Sequence, residues 1–94
     1  MAFEVRAFSW DDQIEAHIAE HGVTPREVNQ MVENPHIIVR NRRGKRAPVL
    51  LIGRTHGGRV LSVPLAKTRE PGVWRPVTAF PATEAQTALL DKNS

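Results

Sequence analysis

The residues of this sequence best suited to chemistry are one histidine and the basic residues near it. His56 lies between Arg54 and Arg59, and Lys67 and Arg75 come later in the chain. An imidazole that titrates near neutral pH can take the proton from a ribose 2′-hydroxyl, and cationic side chains can stabilise the dianion that forms when this oxygen attacks phosphorus. The candidate catalytic residues for such metal-free RNA cleavage are Arg54, His56, Arg59, Lys67 and Arg75, with His56 or Lys67 as the group that moves protons. The alternative is that His56 is a polar turn residue without a catalytic role.

A second group of basic residues is suited to binding the RNA backbone. Residues 40–46 contain no apolar side chain and hold the densest positive charge of the sequence. Such a run is either a solvated loop or a phosphate contact that reads no base sequence, and both descriptions can hold together. The candidate RNA-binding residues are Arg42, Arg43, Lys45, Arg46 and Arg69.

Two further histidines have a spacing that metal sites use. His17 and His21 are four residues apart in a predicted helix, so their imidazoles could share one ion. No third ligand of the kind found in helical zinc motifs follows them. The structural alternative is that His21 interacts with the last carbonyls and the dipole at the helix end. We therefore expect no metal site and no cofactor.

Positive and negative charges are strongly segregated along the chain. Residues 1–35 hold seven acidic and two basic residues (−5), residues 36–80 hold ten basic and one acidic residue (+9), and residues 81–94 carry −1, which gives the net charge of +3. The basic segment is also the part predicted to form strands. A cationic sheet beside acidic helices favours a polyanionic partner, and nucleic acid is the commonest polyanion in a cell.

The composition is that of one small globular domain spanning residues 1–94. A hydrophobic fraction of 40% and a charged fraction of 24% are typical of folded proteins, and 94 residues leave no room for a second core. The absence of cysteine excludes disulfides and cysteine-based zinc sites. No apolar stretch approaches the length of a membrane span, so we expect a cytoplasmic protein with no membrane partner.

The N-terminal third predicts a short strand followed by two helices. Residues 3–8 alternate apolar and polar side chains. Ser9 is a candidate N-cap for a first helix that ends at Gly22. The run Thr24-Pro25-Arg26-Glu27 combines an N-cap, a proline at the first helical position and a glutamate able to close a capping box. It predicts a second helix that ends before Asn34.

The rest of the chain predicts an antiparallel sheet and a closing helix. The predicted strands cover residues 36–40, 48–55, 59–67 and 73–80. Pro64 and Pro76 each remove a ladder donor, so they indicate a bulge or an edge position. Residues 83–90 predict a short helix. The expected fold class is α+β, with two N-terminal helices, an antiparallel sheet of about four strands and a short C-terminal helix.

Several short motifs of this sequence resemble the BrnT family of bacterial toxins. The N-terminal motifs are Phe8-Ser9-Trp10-Asp11-Asp12, His21-Gly22-Val23-Thr24-Pro25-Arg26-Glu27-Val28 and Asn34-Pro35. The strand motifs are Leu51-Ile52-Gly53-Arg54-Thr55, Gly58-Arg59-Val60-Leu61 and Lys67-Thr68-Arg69. The closing motif is Arg75-Pro76-Val77-Thr78-Ala79-Phe80, followed by Ala82-Thr83. The resemblance spans nearly the whole chain.

The resemblance implies a RelE-like fold and the activity of an endoribonuclease toxin in a type II toxin–antitoxin system. Its partners would be messenger RNA and a cognate antitoxin encoded by an adjacent gene. Carried over by position, the basic functional residues of the family are Arg54, Arg59 and Arg75, with Arg69 as a further match.

The sequence departs from the family at two places. Phe80 stands where the closing motif has a second arginine, and residues 83–90 lack the basic and tyrosine residues of the family's last helix. Both departures remove polar groups from the expected active surface. They favour an alternative function, a non-catalytic nucleic-acid-binding or protein-interaction module on the same fold.

Overall fold

The protein has an α+β fold, as the sequence predicted. The computed structural model describes residues 4–42 and 47–93. In chain order its elements are β1 (Ala7–Phe8), α1 (Asp12–Ala19), α2 (Pro25–Met31), β2 (His36–Arg40), β3 (Val49–Arg54), β4 (Val60–Lys67), β5 (Val73–Pro76), β6 (Phe80–Pro81) and α3 (Glu84–Asn93). The long strands and the three helices lie close to their predicted positions.

Polar side chains fix the start of each N-terminal helix. Helix α1 is capped by Asp11, whose carboxylate accepts the Ile14 N–H at 2.8 Å, and not by Ser9. A carboxylate at this position also interacts favourably with the helix dipole. Helix α2 has the predicted capping box, because Thr24 Oγ1 accepts the Glu27 N–H at 3.2 Å and Glu27 accepts the Thr24 N–H at 3.1 Å.

The sheet differs from the prediction in the number of its strands and in the strand at its edge. Within the described residues it has six strands in the order β1-β5-β4-β3-β2, with β6 beside β4, and not about four strands. The two N-terminal helices follow β1, which pairs in parallel with β5 through Ala7 opposite Val73. The strands β1 and β6 have two residues each, too few to produce a periodic pattern. The remaining pairs are antiparallel.

The two prolines mark an interruption in the last predicted strand. Strand β5 pairs with the C-terminal half of β4, β6 pairs with the N-terminal half, and between them the Val77 N–H donates to the Pro64 carbonyl at 2.9 Å. The N–H and C=O of one strand residue point to the same side, so the missing N–H of Pro64 faces this break in the ladder. The expected bulge is therefore a gap between β5 and β6.

Helices cover both faces of the central strands. Ile14 and Ile18 of α1 and Val28 and Met31 of α2 are buried in one cluster with Val49, Leu51, Leu61, Val63 and Leu65. Gly53 faces Met31, whereas its neighbour Arg54 bonds to Asp91 of α3. Because successive strand residues point to opposite faces, α2 and α3 lie on opposite sides of β3. Leu90 anchors α3 and is fully buried.

Candidate active site and nucleic-acid interface

Three of the five candidate catalytic residues lie together around the β3–β4 turn. Arg54 pairs with Val60 across the two strands, and the Thr55 N–H donates to the Arg59 carbonyl at 2.9 Å. Gly58 adopts a φ of 88°, a conformation that favours glycine and lets the turn close. Arg54, His56 and Arg59 therefore share one end of the sheet, which we call the hairpin end.

The C-terminal part of α2 and the segment after it hold His56. The His56 N–H donates to Gln30 Oε1 at 3.0 Å, and its ring atom Nδ1 lies 3.0 Å from Asn34 Nδ2. The ring is exposed beside an open cleft of about 460 Å³. The residues lining this cleft are Arg26, Asn29, Gln30, Glu33 and His56.

A second histidine is tied to the same asparagine. His36 Nδ1 lies 2.8 Å from the Asn34 carbonyl oxygen, which can only accept a hydrogen bond. The neutral ring of His36 therefore carries its proton on Nδ1 and keeps a lone pair on Nε2. His36 is half-buried at the first position of β2, opposite Gly53. No local sequence pattern predicted this arrangement.

Arg54 is held by an acidic residue of the last helix. Its Nη2 lies 2.5 Å from Asp91 Oδ1, and its Nη1 donates to the Gly58 carbonyl at 3.3 Å. Both side chains are partly exposed, so the pair is accessible to solvent and contributes little to stability. A phosphate that approaches Arg54 competes with the Asp91 carboxylate for the guanidinium.

Arg59 joins the hairpin to the turn between α1 and α2. Its Nη1 donates to the Gly22 carbonyl at 2.7 Å and lies 3.3 Å from Glu27 Oε2. Glu27 also closes the capping box of α2, so one carboxylate serves two contacts. The Arg59 side chain is 37% exposed, which leaves part of the guanidinium accessible beside the turn that contains His21.

Lys67 and Arg75 lie away from His56. Arg75 pairs with Ala66 and Lys67 with Trp74, so both lie at the other end of β4. Ala66 lies six residue steps along the extended strand from Val60, a distance of about 20 Å. The structure therefore separates Lys67 and Arg75 from the other three candidate catalytic residues.

Arg75 borders a second cleft and has its own acidic partner. Its Nη2 lies 3.4 Å from Asp11 Oδ2, the N-cap carboxylate of α1. The cleft has a volume of about 480 Å³ and is lined by Gln13, Ile14, His17, Ala66, Arg75, Pro76 and Val77. Arg54, Arg59 and Arg75 thus each contact a carboxylate of a helix or its cap.

The end of the sheet opposite the hairpin gathers cations from three parts of the sequence. Arg40 ends β2 opposite Val49, which in turn pairs with Leu65 near the end of β4. Because β3 alone separates β2 from β4, their ends lie about 10 Å apart. The Arg6 N–H donates to the Gly72 carbonyl at 2.7 Å, so the N-terminal segment also reaches this end.

We call this group of cations the loop end. It consists of Arg6, Arg40, Arg42, Lys67 and Arg69, all of which are exposed. Among residues 4–42 and 47–93, these five side chains form no ion pair. Arg42 and Arg69, two of the candidate RNA-binding residues, are thus exposed cations on one side of the molecule. Arg43, Lys45 and Arg46 lie outside the described residues.

Sequence reasoning missed four residues of these two surfaces. Gln30 and Asn34 act through contacts with the hairpin that are distant in sequence, and His36 contacts the Asn34 carbonyl. Arg6 lies in a segment that is acidic as a whole. The only local signal was the Asn34-Pro35 pair, which predicted a helix boundary. The structure shows that Asn34 also binds the hairpin.

His17 and His21 contact each other edge to face, with ring centroids 5.5 Å apart. His17 Nδ1 lies 3.3 Å from Glu20 Oε2, and the His21 ring lies 6.4 Å from Phe80. The described part of the chain contains no group of three or more His, Cys, Asp or Glu residues arranged to hold a metal ion. In the same residues, no helix has both the length and the apolar character that crossing a membrane requires.

No known family model matches the sequence, and comparison with curated proteins gives no matching relative. The resemblance to the BrnT family therefore depends on the short motifs quoted above.

Proposed function

We propose that this protein is a metal-free endoribonuclease toxin of a type II toxin–antitoxin system, with a RelE-like fold and its chemistry at the hairpin end. The observation that carries the proposal is the grouping of Arg54, His56 and Arg59 around one turn, with His56 held in place by α2. The motifs that resemble the BrnT family include Arg54 and Arg59 on either side of this turn, and His56 lies between them. No metal or other cofactor is required.

The proposed reaction is a transesterification. The ribose 2′-oxygen attacks phosphorus, the bond from phosphorus to the 5′-oxygen breaks, and a cyclic phosphate and a 5′-hydroxyl result. Arg59, on the α2 side of the hairpin that also holds His56, stabilises the charge on the phosphoryl oxygens, and Arg54, on the α3 side, contacts the neighbouring backbone. His56 is the candidate hydrogen-bond donor at this end, and His36 Nε2 is the candidate acceptor for the 2′-hydroxyl proton. Water supplies the proton that the 5′-oxygen takes up as it leaves.

The loop end supports binding of the RNA backbone in this proposal. Its five exposed cations do not pair with carboxylates of the described chain, so they are available to phosphates without first breaking an ion pair. Lys67 and Arg75 belong to this side, so we assign them to RNA binding and not to the chemical step. Contacts of this kind hold RNA without reading its sequence.

The proposed protein partner is a cognate antitoxin encoded by an adjacent gene. The resemblance to the BrnT family supports this partner. An antitoxin with acidic side chains would complement the exposed cations of the loop end and compete with RNA.

The alternative is a non-catalytic nucleic-acid-binding or protein-interaction module. One observation favours it: Arg54, Arg59 and Arg75 each contact a carboxylate, at 2.5, 3.3 and 3.4 Å. Arginines with such contacts join helices to the sheet, and this structural role does not require a bound substrate. Phe80, in place of a second arginine, also favours this alternative.

Expression of the protein without a partner tests the proposal. We expect slower bacterial growth and cut messenger RNA in primer extension, and we expect chelators not to stop cleavage by the purified protein. Co-expression of the product of an adjacent short reading frame should restore growth. Normal growth at high expression, with intact RNA, would favour the binding module.

A further inference from the structure

The orientation of the Asn34 amide is fixed by its surroundings. Asn34 Nδ2 lies 3.0 Å from the Arg54 carbonyl oxygen, which can only accept a hydrogen bond. The opposite orientation would place Asn34 Oδ1 against this oxygen, with no proton between them. The nitrogen therefore faces the hairpin, and this assignment depends on hydrogen bonding alone.

The Asn34 amide in turn fixes the proton of His56. The amide nitrogen has two hydrogens, and with one donated to Arg54 the other points to His56 Nδ1 at 3.0 Å. His56 Nδ1 must accept this hydrogen bond, so the neutral ring carries its proton on Nε2. In this state neither ring nitrogen has a free lone pair.

Hydrogen bonds to neighbouring residues restrain the positions of the His56 ring and the Asn34 amide. The His56 N–H is bound by Gln30 Oε1 at 3.0 Å, and the Asn34 carbonyl accepts the Nδ1–H of His36 at 2.8 Å. Both partners of the Asn34–His56 bond are therefore restrained through their backbones. The exposed Nε2–H is the group that His56 presents to a ligand.

We infer that Asn34 is a positioning residue that makes neutral His56 a hydrogen-bond donor to a phosphodiester oxygen, and not the base of the reaction. The inference rests on the proposed function for its ligand, RNA. A neutral imidazole that donates from Nε2 can stabilise charge on a phosphoryl oxygen without transferring its proton. A base at this position would need the free Nε2 lone pair that Asn34 excludes.

The tautomer is tested by long-range ¹H–¹⁵N correlation spectra of the full chain. In the neutral His56 ring of the wild-type protein, we expect the proton on Nε2. Asn34→Asp supplies an acceptor to Nδ1 and should move the proton to Nδ1. Asn41→Asp is the matched control, because Asn41 donates its amide to the Ala47 carbonyl at 2.8 Å and does not contact His56. A proton on Nδ1 in the wild-type protein would overturn the inference.

The chemical role is tested by two substitutions at His56. Glutamine retains a side-chain N–H near the position of Nε2–H, so we expect His56→Gln to keep single-turnover cleavage within about tenfold, whereas His56→Ala should lose on the order of 10²–10³-fold. Equal losses in both variants, with the fold intact by circular dichroism, would overturn the donor role.

Binding separates this inference from the proposed function. The probe is a 2′-deoxy oligonucleotide, which has the phosphodiester groups but no 2′-hydroxyl to react. If the wild-type protein does not cleave RNA, the proposed endoribonuclease function fails, and the donor role is then judged by this probe. We expect the His56 Nε2 resonance to shift as the probe saturates the protein. Saturation without a shift would overturn the inference.

Discussion

Arg59 has a structural role that is independent of any reaction. It donates to the Gly22 carbonyl at 2.7 Å and pairs with Glu27, so it joins the β3–β4 hairpin to the turn between α1 and α2. A sequence-based interpretation treats Arg59 as a phosphate ligand. Removal of Arg59 would both delete a cation and loosen the helix turn, so a loss of the proposed activity would have two causes.

We expect Arg59→Ala to lower the free energy of unfolding by about 1–2 kcal/mol, since a charge-assisted hydrogen bond and a partly exposed ion pair are lost together. The measurement is urea unfolding followed by circular dichroism. Arg69→Ala is the control, because Arg69 is exposed without an ion pair in the described chain, and it should change stability by less than about 0.5 kcal/mol. Equal stability of the two variants would contradict the role of Arg59 in joining the hairpin to the helices.

At the scale of elements, Gly53 allows β2, β3 and α2 to pack closely. A Cβ built at Gly53 would lie 2.8 Å from the Cβ of His36 and 3.4 Å from the Cβ of Met31. Both neighbouring atoms are Cβ atoms bonded directly to the backbone, so neither can move unless the backbone shifts. The same packing sets the position of His36 and, through it, of Asn34.

Gly53→Ala should therefore destabilise the protein by about 1–3 kcal/mol, as expected for overpacking. Gly57→Ala is the matched control in the next turn, where the nearest atom to the added Cβ is Thr55 Oγ1 at 3.8 Å. Thermal unfolding of both variants checks the difference. A Gly53→Ala protein as stable as Gly57→Ala would show that β2 and α2 are not tightly packed.

The sequence predicted those elements whose signals are local. Thr24, Pro25 and Glu27 specify the start of α2 within four residues, and the two glycines after His56 specify the hairpin turn. The pairing of β1 with β5 and the bonds of Asn34 to the hairpin join residues far apart in sequence. No local pattern encodes such contacts, so the sequence identified His56 as a candidate but not the residues that orient it.

At the scale of the whole molecule, charge segregation has two consequences. Part of the positive charge is paired within the protein, where carboxylates of the helices and of the α1 cap contact Arg54, Arg59 and Arg75. The remainder is exposed at the loop end. The segregated sequence by itself predicted a polyanion partner for the whole basic segment, whereas the structure restricts the unpaired cations described here mainly to one end of the sheet.

RNA binding should weaken steeply as salt rises, because bound phosphates release counterions. Lys67→Gln combined with Arg69→Gln should flatten the slope of log Kd against log salt by about 1–2, or roughly 0.7 for each lost contact to single-stranded RNA. Lys67→Arg combined with Arg69→Lys keeps both charges and should keep the slope. Fluorescence anisotropy measures these slopes. An unchanged slope in the double glutamine variant would show that the loop end is not part of the RNA-binding surface.

The most direct test of the central proposal, RNA cleavage at the hairpin end, is single-turnover cleavage at saturating enzyme with a chelator present. These conditions remove the contribution of binding to the rate. We expect the wild-type protein to cleave, His56→Ala to lose on the order of 10²–10³ in rate, and Arg75→Ala to stay within a few-fold of wild type. RNA that the wild-type protein binds but leaves intact, or a His56→Ala rate equal to wild type, would contradict this proposal.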